Sequence, residues 1–318
     1  MKRKFKVLLT RRLHDFALTE LRERCEITIH SGKIPMPKQK ILEEIKDKDG
    51  LICFPYDIID QEILDSANKL KTISTYSVGF DHIDINYAKN KRITIGYTPD
   101  VLTNATAELT IGLILDLLRR ITEGDHIIRK GKWNEIFGPF DYVGTEVSGK
   151  TLGILGMGRI GKTVAKKASC LGMNILYHNR KSIVNTGKAK YVSLNELFKK
   201  SDVVSIHVPY SKNTHHMINS ALLKKMKKTS FLINTSRGKI INQKDLLKTL
   251  QSKKIQGVAL DVFEDEPIGK SNDLVKLKNV VLGPHIGSST SETRRTMAEI
   301  TVKNLILGLS NKKLIYSV

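Results

Sequence analysis

Most of the chemistry open to this 318-residue chain is concentrated in a few short stretches. The run GMGRIG spaces glycines at 156, 158 and 161. It follows an apolar strand pattern and opens a helical one, with a second strand about twenty residues on, the context in which G-x-G-x-x-G holds a dinucleotide. Gly156 allows a tight turn, Gly158 lets backbone approach a pyrophosphate, and Gly161 lets helix and strand pack closely. Free N–H groups and the helix dipole then face the anion. The second strand ends in NILYHNRK, residues 174–181. Where an Asp or Glu commonly accepts from both ribose hydroxyls, Asn179 stands, followed by Arg180 and Lys181. Asn can bond a ribose hydroxyl without charge, and the two cations suit a 2′-phosphate. The corner is expected to favour NADP(H), with NAD(H) also admitted.

Further along, Arg237 in TSRG, the acids Glu264, Asp265 and Glu266 in EDEP, and His285 in GPHIG each follow an apolar strand pattern. A guanidinium is permanently charged and matches a carboxylate through two donors. An imidazole titrates near neutrality and can give a proton. A carboxylate on its other nitrogen would hold the ring's orientation and stabilise its protonated form. Taken singly, each has an ordinary reading: a capping or surface Arg, a packed His, a solvated acidic turn. Together, near the C-terminal ends of strands in one sheet, they would converge where open α/β sheets place ligands.

The elements that must position these residues come in two alternations. KVLLT, EITIH, GLICF and KTISTYS alternate with helical patterns, which predicts a parallel sheet covered by helices. A long helical stretch follows over 104–133, with an apolar centre, LTIGLILDLL, that suggests burial between domains or in a subunit interface. Residues 134–150 lack periodicity and read as a connecting loop. From Thr151 a second alternation supplies six apolar strands, fitting a doubly wound sheet. The last segment, SETRRTMAEITVKNLILGL, reads as a helix beyond that sheet, docking on the first domain and making it discontinuous.

Composition narrows the rest. The formal charge is +21, but the basic residues are scattered along the chain. With no recognition helix, aromatic-and-basic stripe or zinc spacing, that charge reads as a Lys-rich solvated surface rather than a nucleic-acid site. It could also help gather an anionic cofactor and substrate. Cys25, Cys53 and Cys170 are odd in number without CxxC, and read as small core residues in a reducing compartment. The N-terminal apolar run is too short for a signal peptide, and no stretch is long enough to span a bilayer, so a cytoplasmic location is expected.

GMGRIG, INTSRGKIIN, ALDVFEDEP and VVLGPHIGSST stand in the order and spacing that resemble the D-isomer-specific 2-hydroxyacid dehydrogenases. STYSVGFDHIDI and GYTPDVLTNATAELTIGLIL look most like the glyoxylate/hydroxypyruvate reductase branch. The resemblance covers nearly the whole chain. It implies two Rossmann/flavodoxin-like α/β domains with doubly wound parallel sheets, the cofactor domain (100–287) inserted into a substrate domain (1–99 plus 288–318). It implies a catalytic set of Arg237, Glu266 and His285, with Glu266 ahead of its acidic neighbours. Val78 and Gly79 would meet the substrate carboxylate beside Arg237 and His285. Thr106, Arg159, Ile160, His207, Pro209, Thr214, Thr235, Ser236, Asp261 and Gly287 would join the glycines and the Asn179–Lys181 corner around the cofactor. His82, His215 and His216 are read as surface or packing residues.

The expectation is a reductase of a small 2-keto acid, glyoxylate or hydroxypyruvate, using NAD(P)H, with no metal. No nucleic-acid or membrane partner is expected. A homodimer through the Leu-rich helix is, with hinges near 99–103 and 287–289. Two rivals stand beside it: a D-2-hydroxyacid dehydrogenase for another keto acid, and a non-enzymatic dinucleotide-sensing protein. An intact Arg–Glu–His set speaks for turnover.

Overall fold

The structure, a computed structural model, describes residues 4–318. Along the first stretch run β1 (Phe5–Leu9), α1 (Asp15–Arg24), β2 (Cys25–Ile29), α2 (Lys38–Glu44) and β3 (Gly50–Cys53). Then come α3 (Gln61–Ser66), β4 (Thr72–Thr75), α4 (Ile85–Asn90) and β5 (Thr94–Gly96). The middle opens with α5 (Thr103–Arg119) and α6 (Ile121–Arg129), followed by β6 (Thr151–Leu155), α7 (Arg159–Cys170), β7 (Asn174–His178) and β8 (Lys190–Tyr191). It continues through α8 (Leu194–Lys200), β9 (Val203–Ile206), α9 (Ser220–Leu223), β10 (Phe231–Asn234), α10 (Gln243–Gln251), β11 (Gly257–Leu260) and β12 (Val280–Leu282). The chain closes on α11 (Ser291–Leu309).

Two compact units result among the described residues, one of residues 4–102 and 289–318, the other of residues 103–288 interrupting it. The first holds a five-stranded sheet in the order β2-β1-β3-β4-β5, every pair parallel. Strands β3 and β4 are buried along their whole length, as parallel strands covered on both faces must be. Helix α11 packs on β3, β4, β5 and α1, so the final helix does belong with the first unit. Its fully buried Asn304 is satisfied on both sides of its amide. Nδ2 donates to the Tyr97 carbonyl at 3.1 Å, and Oδ1 accepts from the N–H groups of Ile315 and Tyr316 at 2.9 and 3.2 Å. A buried amide left unmatched would cost about 1–3 kcal/mol, so these bonds fix the tail as well as the helix.

The second unit holds seven strands in the order β12-β11-β10-β9-β6-β7-β8, again all parallel. The order reverses beside β6, which lies between β9 and β7. That switch point is where a doubly wound sheet opens a crevice at its C-terminal edge.

Three expectations need correction. The long helix over 104–133 is two helices: Arg120, at φ 58°, turns the chain between α5 and α6. On α5, Leu113, Ile114, Leu117 and Leu118 are buried inside the second unit in a cluster shared with α7 and the sheet, with Leu109, Ile111 and Leu115 partly buried against it, so this burial is within the unit. Exposed apolar side chains instead lie on α6 and the segment after it: Ile128, Trp133, Ile136, Phe140 and Val143. Finally, Cys170 is exposed, whereas Cys25 and Cys53 are buried as expected.

Candidate active site

The glycine loop follows β6 at the switch point, and its three glycines do three different jobs. Gly156 has φ 99°, and a Cβ there would lie 2.7 Å from the His207 carbonyl carbon, so both conformation and crowding demand glycine. A Cβ on Gly161 would lie 2.2 Å from the Gly156 oxygen, because α7 is pressed onto the loop. A Cβ on Gly158 would meet nothing within 4 Å. The fold itself therefore leaves open space at the N-terminus of the twelve-residue α7, where N–H groups and dipole favour an anion. A dinucleotide pyrophosphate fits that cradle. Gly158→Val should shift the thermal midpoint by no more than about 2 °C, since the space is open. The same variant should raise the KM for the dinucleotide roughly tenfold or more, because the branched side chain fills the anion's place. An unchanged cofactor KM would show that nothing binds there.

At the end of β7, the Oδ1 of Asn179 accepts from the Met157 N–H at 2.7 Å, bracing the glycine loop from the side. Its amide nitrogen remains to donate. Arg180 and Lys181 are exposed and, among the described residues, take no carboxylate partner. Across the switch, His207 lies against the loop, with Nε2 and the Ser205 hydroxyl 2.8 Å apart. Burial pushes its imidazole down to about 3, so His207 presents a neutral ring and cannot supply charge to a phosphate. Pro209 and Thr214 close their own turn: the Thr214 hydroxyl donates to the Pro209 carbonyl at 2.9 Å and accepts from the Ser211 N–H at 2.8 Å.

Strands β10, β11 and β12 are neighbours in the sheet, so the segments leaving their C-terminal ends emerge side by side. Arg237 lies just past β10. Its backbone carbonyl accepts from Asn234 Nδ2 at 2.9 Å, and its Nη1 donates to the Ser236 carbonyl at 3.0 Å. Past β11, Glu266 splits its two oxygens: Oε1 accepts from the Phe263 N–H at 2.8 Å, and Oε2 lies 2.7 Å from His285 Nδ1. Of the other two acids in the run, Glu264 faces His216 and the N–H of Gln243, and Asp265 is exposed. His285, past β12, sits at φ 55°. Its Nδ1 is thus taken up by Glu266.

Buried Asp261 holds the His285 turn, since its two oxygens accept from the N–H groups of Ile286 at 2.9 Å and Gly287 at 2.8 Å. Burial raises its carboxyl above the usual range, opposed by those two bonds. The Gly287 carbonyl in turn accepts from the Thr106 hydroxyl at 3.0 Å, and the Thr235 and Thr110 hydroxyls are 2.9 Å apart. Thr106, Thr235 and Asp261, expected as cofactor contacts, thus also pin α5 and the strand ends together.

In the first unit, Val78 and Gly79 lie half-buried in the loop after β4. Sequence reasoning missed what holds that loop. Of the two readings of His82, surface or packing, the second holds: it is buried, and its Nε2 is 3.0 Å from the Thr75 hydroxyl. Thr75 is 2.7 Å from the Ser77 hydroxyl, which donates to the Gly79 carbonyl at 2.6 Å. Because Ser77 spends its proton on Gly79, it must accept from Thr75, which in turn accepts from the imidazole. A one-way chain therefore sets the orientation of the Gly79 peptide. The signal in the sequence was only a histidine beside a strand end.

Fold and site together define a class: an α/β oxidoreductase built around a dinucleotide. The family profile for the D-isomer specific 2-hydroxyacid dehydrogenase NAD binding domain matches residues 111–287. A glyoxylate reductase of Thermofilum pendens is 47% identical over 312 residues, covering 96% of this chain and 92% of that protein. Among solved structures, the D-lactate dehydrogenase from Aquifex aeolicus complexed with NAD and lactic acid is 32% identical. It has a TM-score of 0.88 and covers 98% of each chain. The NADPH-dependent glyoxylate/hydroxypyruvate reductase of Sinorhizobium meliloti, in complex with NADP and malonate, is 27% identical with a TM-score of 0.87. That match covers 99% of this chain and 97% of that one. This chain belongs to the D-isomer-specific 2-hydroxyacid dehydrogenases, and is an oxidoreductase that uses a nicotinamide dinucleotide on a small keto acid. Among the described residues no group of three or more His, Cys, Asp or Glu could hold a metal, and no helix is long and apolar enough to cross a membrane.

Proposed function

We propose that the protein reduces glyoxylate or hydroxypyruvate to the D-2-hydroxy acid, with NADPH favoured over NADH. The observation that carries the reading is the His285–Glu266 pair, 2.7 Å apart, past the neighbouring strands β12 and β11, with β11 in turn beside the β10 that bears Arg237. In this reading the dinucleotide, when bound, supplies the hydride. Arg237 binds the substrate carboxylate and polarises the ketone. His285 gives its Nε2 proton to the carbonyl oxygen, while Glu266 holds the ring and offsets its positive charge. Val78 and Gly79 offer backbone N–H groups to the carboxylate.

The cofactor preference rests on the uncharged Asn179 and the two exposed cations after it. A panel of glyoxylate, hydroxypyruvate, pyruvate and branched keto acids with both cofactors tests the whole reading. We expect the highest kcat/KM with one of the first two and NADPH. The double variant R180A/K181A should lose roughly 10- to 100-fold in kcat/KM with NADPH and little with NADH. An equal loss with both cofactors, or a wild-type preference for NADH, overturns the NADPH assignment.

The assembly in this reading is a homodimer, formed through the exposed apolar surface of α6 and residues 133–143. That segment is internally braced: the Arg120 guanidinium lies 4.0 Å from the Tyr142 ring centroid, and Phe137 stacks on Tyr142 at 5.3 Å. An apolar patch held in one shape is what a stable interface requires. Sedimentation should give a dimer for the wild type and a monomer for I136D/F140D. A monomeric wild type removes the proposal.

A further inference from the structure

Six of the positive residues that look scattered along the sequence gather at one place in the first unit. A cavity of about 800 Å³ lies there, lined by Lys69, Lys71, Lys91, Arg92, Lys312 and Lys313. Asp49 is the one carboxylate in its lining. Across the whole chain, 53 of 318 residues are Lys or Arg, about one in six, whereas half of this lining is cationic. Chain-wide basicity does not account for that concentration.

Three separate segments converge to make it: the turn from α3 into β4, the turn from α4 into β5, and the residues after α11. All reach the N-terminal end of the sheet, since Asp49, Lys71 and Thr94 stand at the starts of β3, β4 and β5. The loop carrying Val78 and Gly79 leaves the opposite end of β4, about 13 Å of strand away. The cavity is therefore separate from that loop.

Its charge is largely uncompensated. Lys91 pairs with Asp65 at 2.7 Å, and Lys71 reaches Asp49 only at 3.9 Å, while Asp49 also accepts the Lys6 N–H at 2.9 Å. Among the described residues, Lys69, Arg92, Lys312 and Lys313 take no carboxylate partner. Helix C-termini favour nearby cations by about 0.3–1 kcal/mol, and Lys91 and Lys312 follow two of them. That effect asks for one cation per helix end. It does not ask for Lys69 and Lys71, nor for all six to face one space.

We propose that this cavity binds a small solute bearing several linked phosphates. Its volume suits a small-molecule site, of the order of 300–1,000 Å³. Five ammonium groups and one guanidinium match compact, densely charged oxygens, and a single carboxylate would neutralise only a fraction of them. No aromatic side chain lines the cavity, so it has no stacking platform for bases and is not built for single-stranded nucleic acid.

Isothermal titration of the full-length protein with inorganic tripolyphosphate tests it. We expect one saturable site per chain that weakens as salt rises. K69E/K313E should weaken binding roughly tenfold or more, and the milder K69Q/K313Q by a smaller factor, which keeps the test open if charge reversal impairs folding. A control with the same charge change in the second unit, K188E/K225E, should bind within about twofold of wild type. Glyoxylate turnover should be the same in the wild type and all three variants. Equal losses in the control and cavity variants, or no saturable binding, would show a diffuse surface field and overturn the proposal. So would an oligonucleotide binding with this pattern of sensitivity when tripolyphosphate does not.

Discussion

His285→Ala is expected to lower kcat by roughly 10²–10⁴ while leaving the thermal midpoint and the cofactor KM near wild type. The reasoning starts from the ring's two nitrogens. Nδ1 is held 2.7 Å from Glu266 Oε2, and Glu266 is itself fixed by the Phe263 N–H. In the proposed mechanism the proton moves from Nε2. Alanine removes that proton donor and leaves solvent to protonate the developing alkoxide, so the loss falls on the chemical step rather than on binding. Glu266→Gln should lose less, since an amide can still hold the ring but contributes no charge to offset the imidazolium. Stopped-flow single turnovers separate chemistry from product release. Wild-type turnover in the alanine variant would remove His285 from the reaction.

Much of this arrangement could be read from the sequence, and the parts that could not share a physical cause. Strands buried on both faces appear as short apolar runs, which is why GLICF, SFLINTS and GVALDVF declare themselves. Strand β5 has three residues and β8 has two, too few for any pattern to stand out. The break between α5 and α6 falls in the pair Arg119–Arg120 with neither Gly nor Pro to announce it. Among the polar residues, those in linear motifs were legible because the spacing from a strand end fixes where they emerge. Bonds made across the fold were not. Nothing local says that the Asn179 oxygen braces Met157, or that both Asp261 oxygens hold the turn after His285. The His82–Thr75–Ser77 chain likewise exists only once the loop after β4 folds back on itself. The gathering of cations at the sheet's N-terminal edge is of this kind too, since its members come from positions 69–92 and 312–313.

Arg237→Ala should produce a different signature from the histidine variant: a large rise in KM for the keto acid together with a fall in kcat. The combined loss in kcat/KM should be roughly 10²–10³. The backbone cannot retreat to soften the effect. Asn234 Nδ2 clamps the Arg237 carbonyl at 2.9 Å, and Gly238 sits so close to the next segment that a Cβ would lie 1.8 Å from the Phe263 carbonyl carbon. A guanidinium held on such a segment is preorganised for a carboxylate, and deleting it leaves the substrate's charge without its partner. The kcat component arises because the contact strengthens as negative charge develops on the carbonyl oxygen. Arg237→Lys keeps the charge but not the planar fork, and should recover only part of the loss. The comparison across substrates is the sharper measurement. If Arg237 binds the carboxylate, the alanine variant should discriminate far less than wild type between a keto acid and the corresponding aldehyde that lacks the acid group. A folded variant with unchanged KM and unchanged discrimination would place the carboxylate elsewhere.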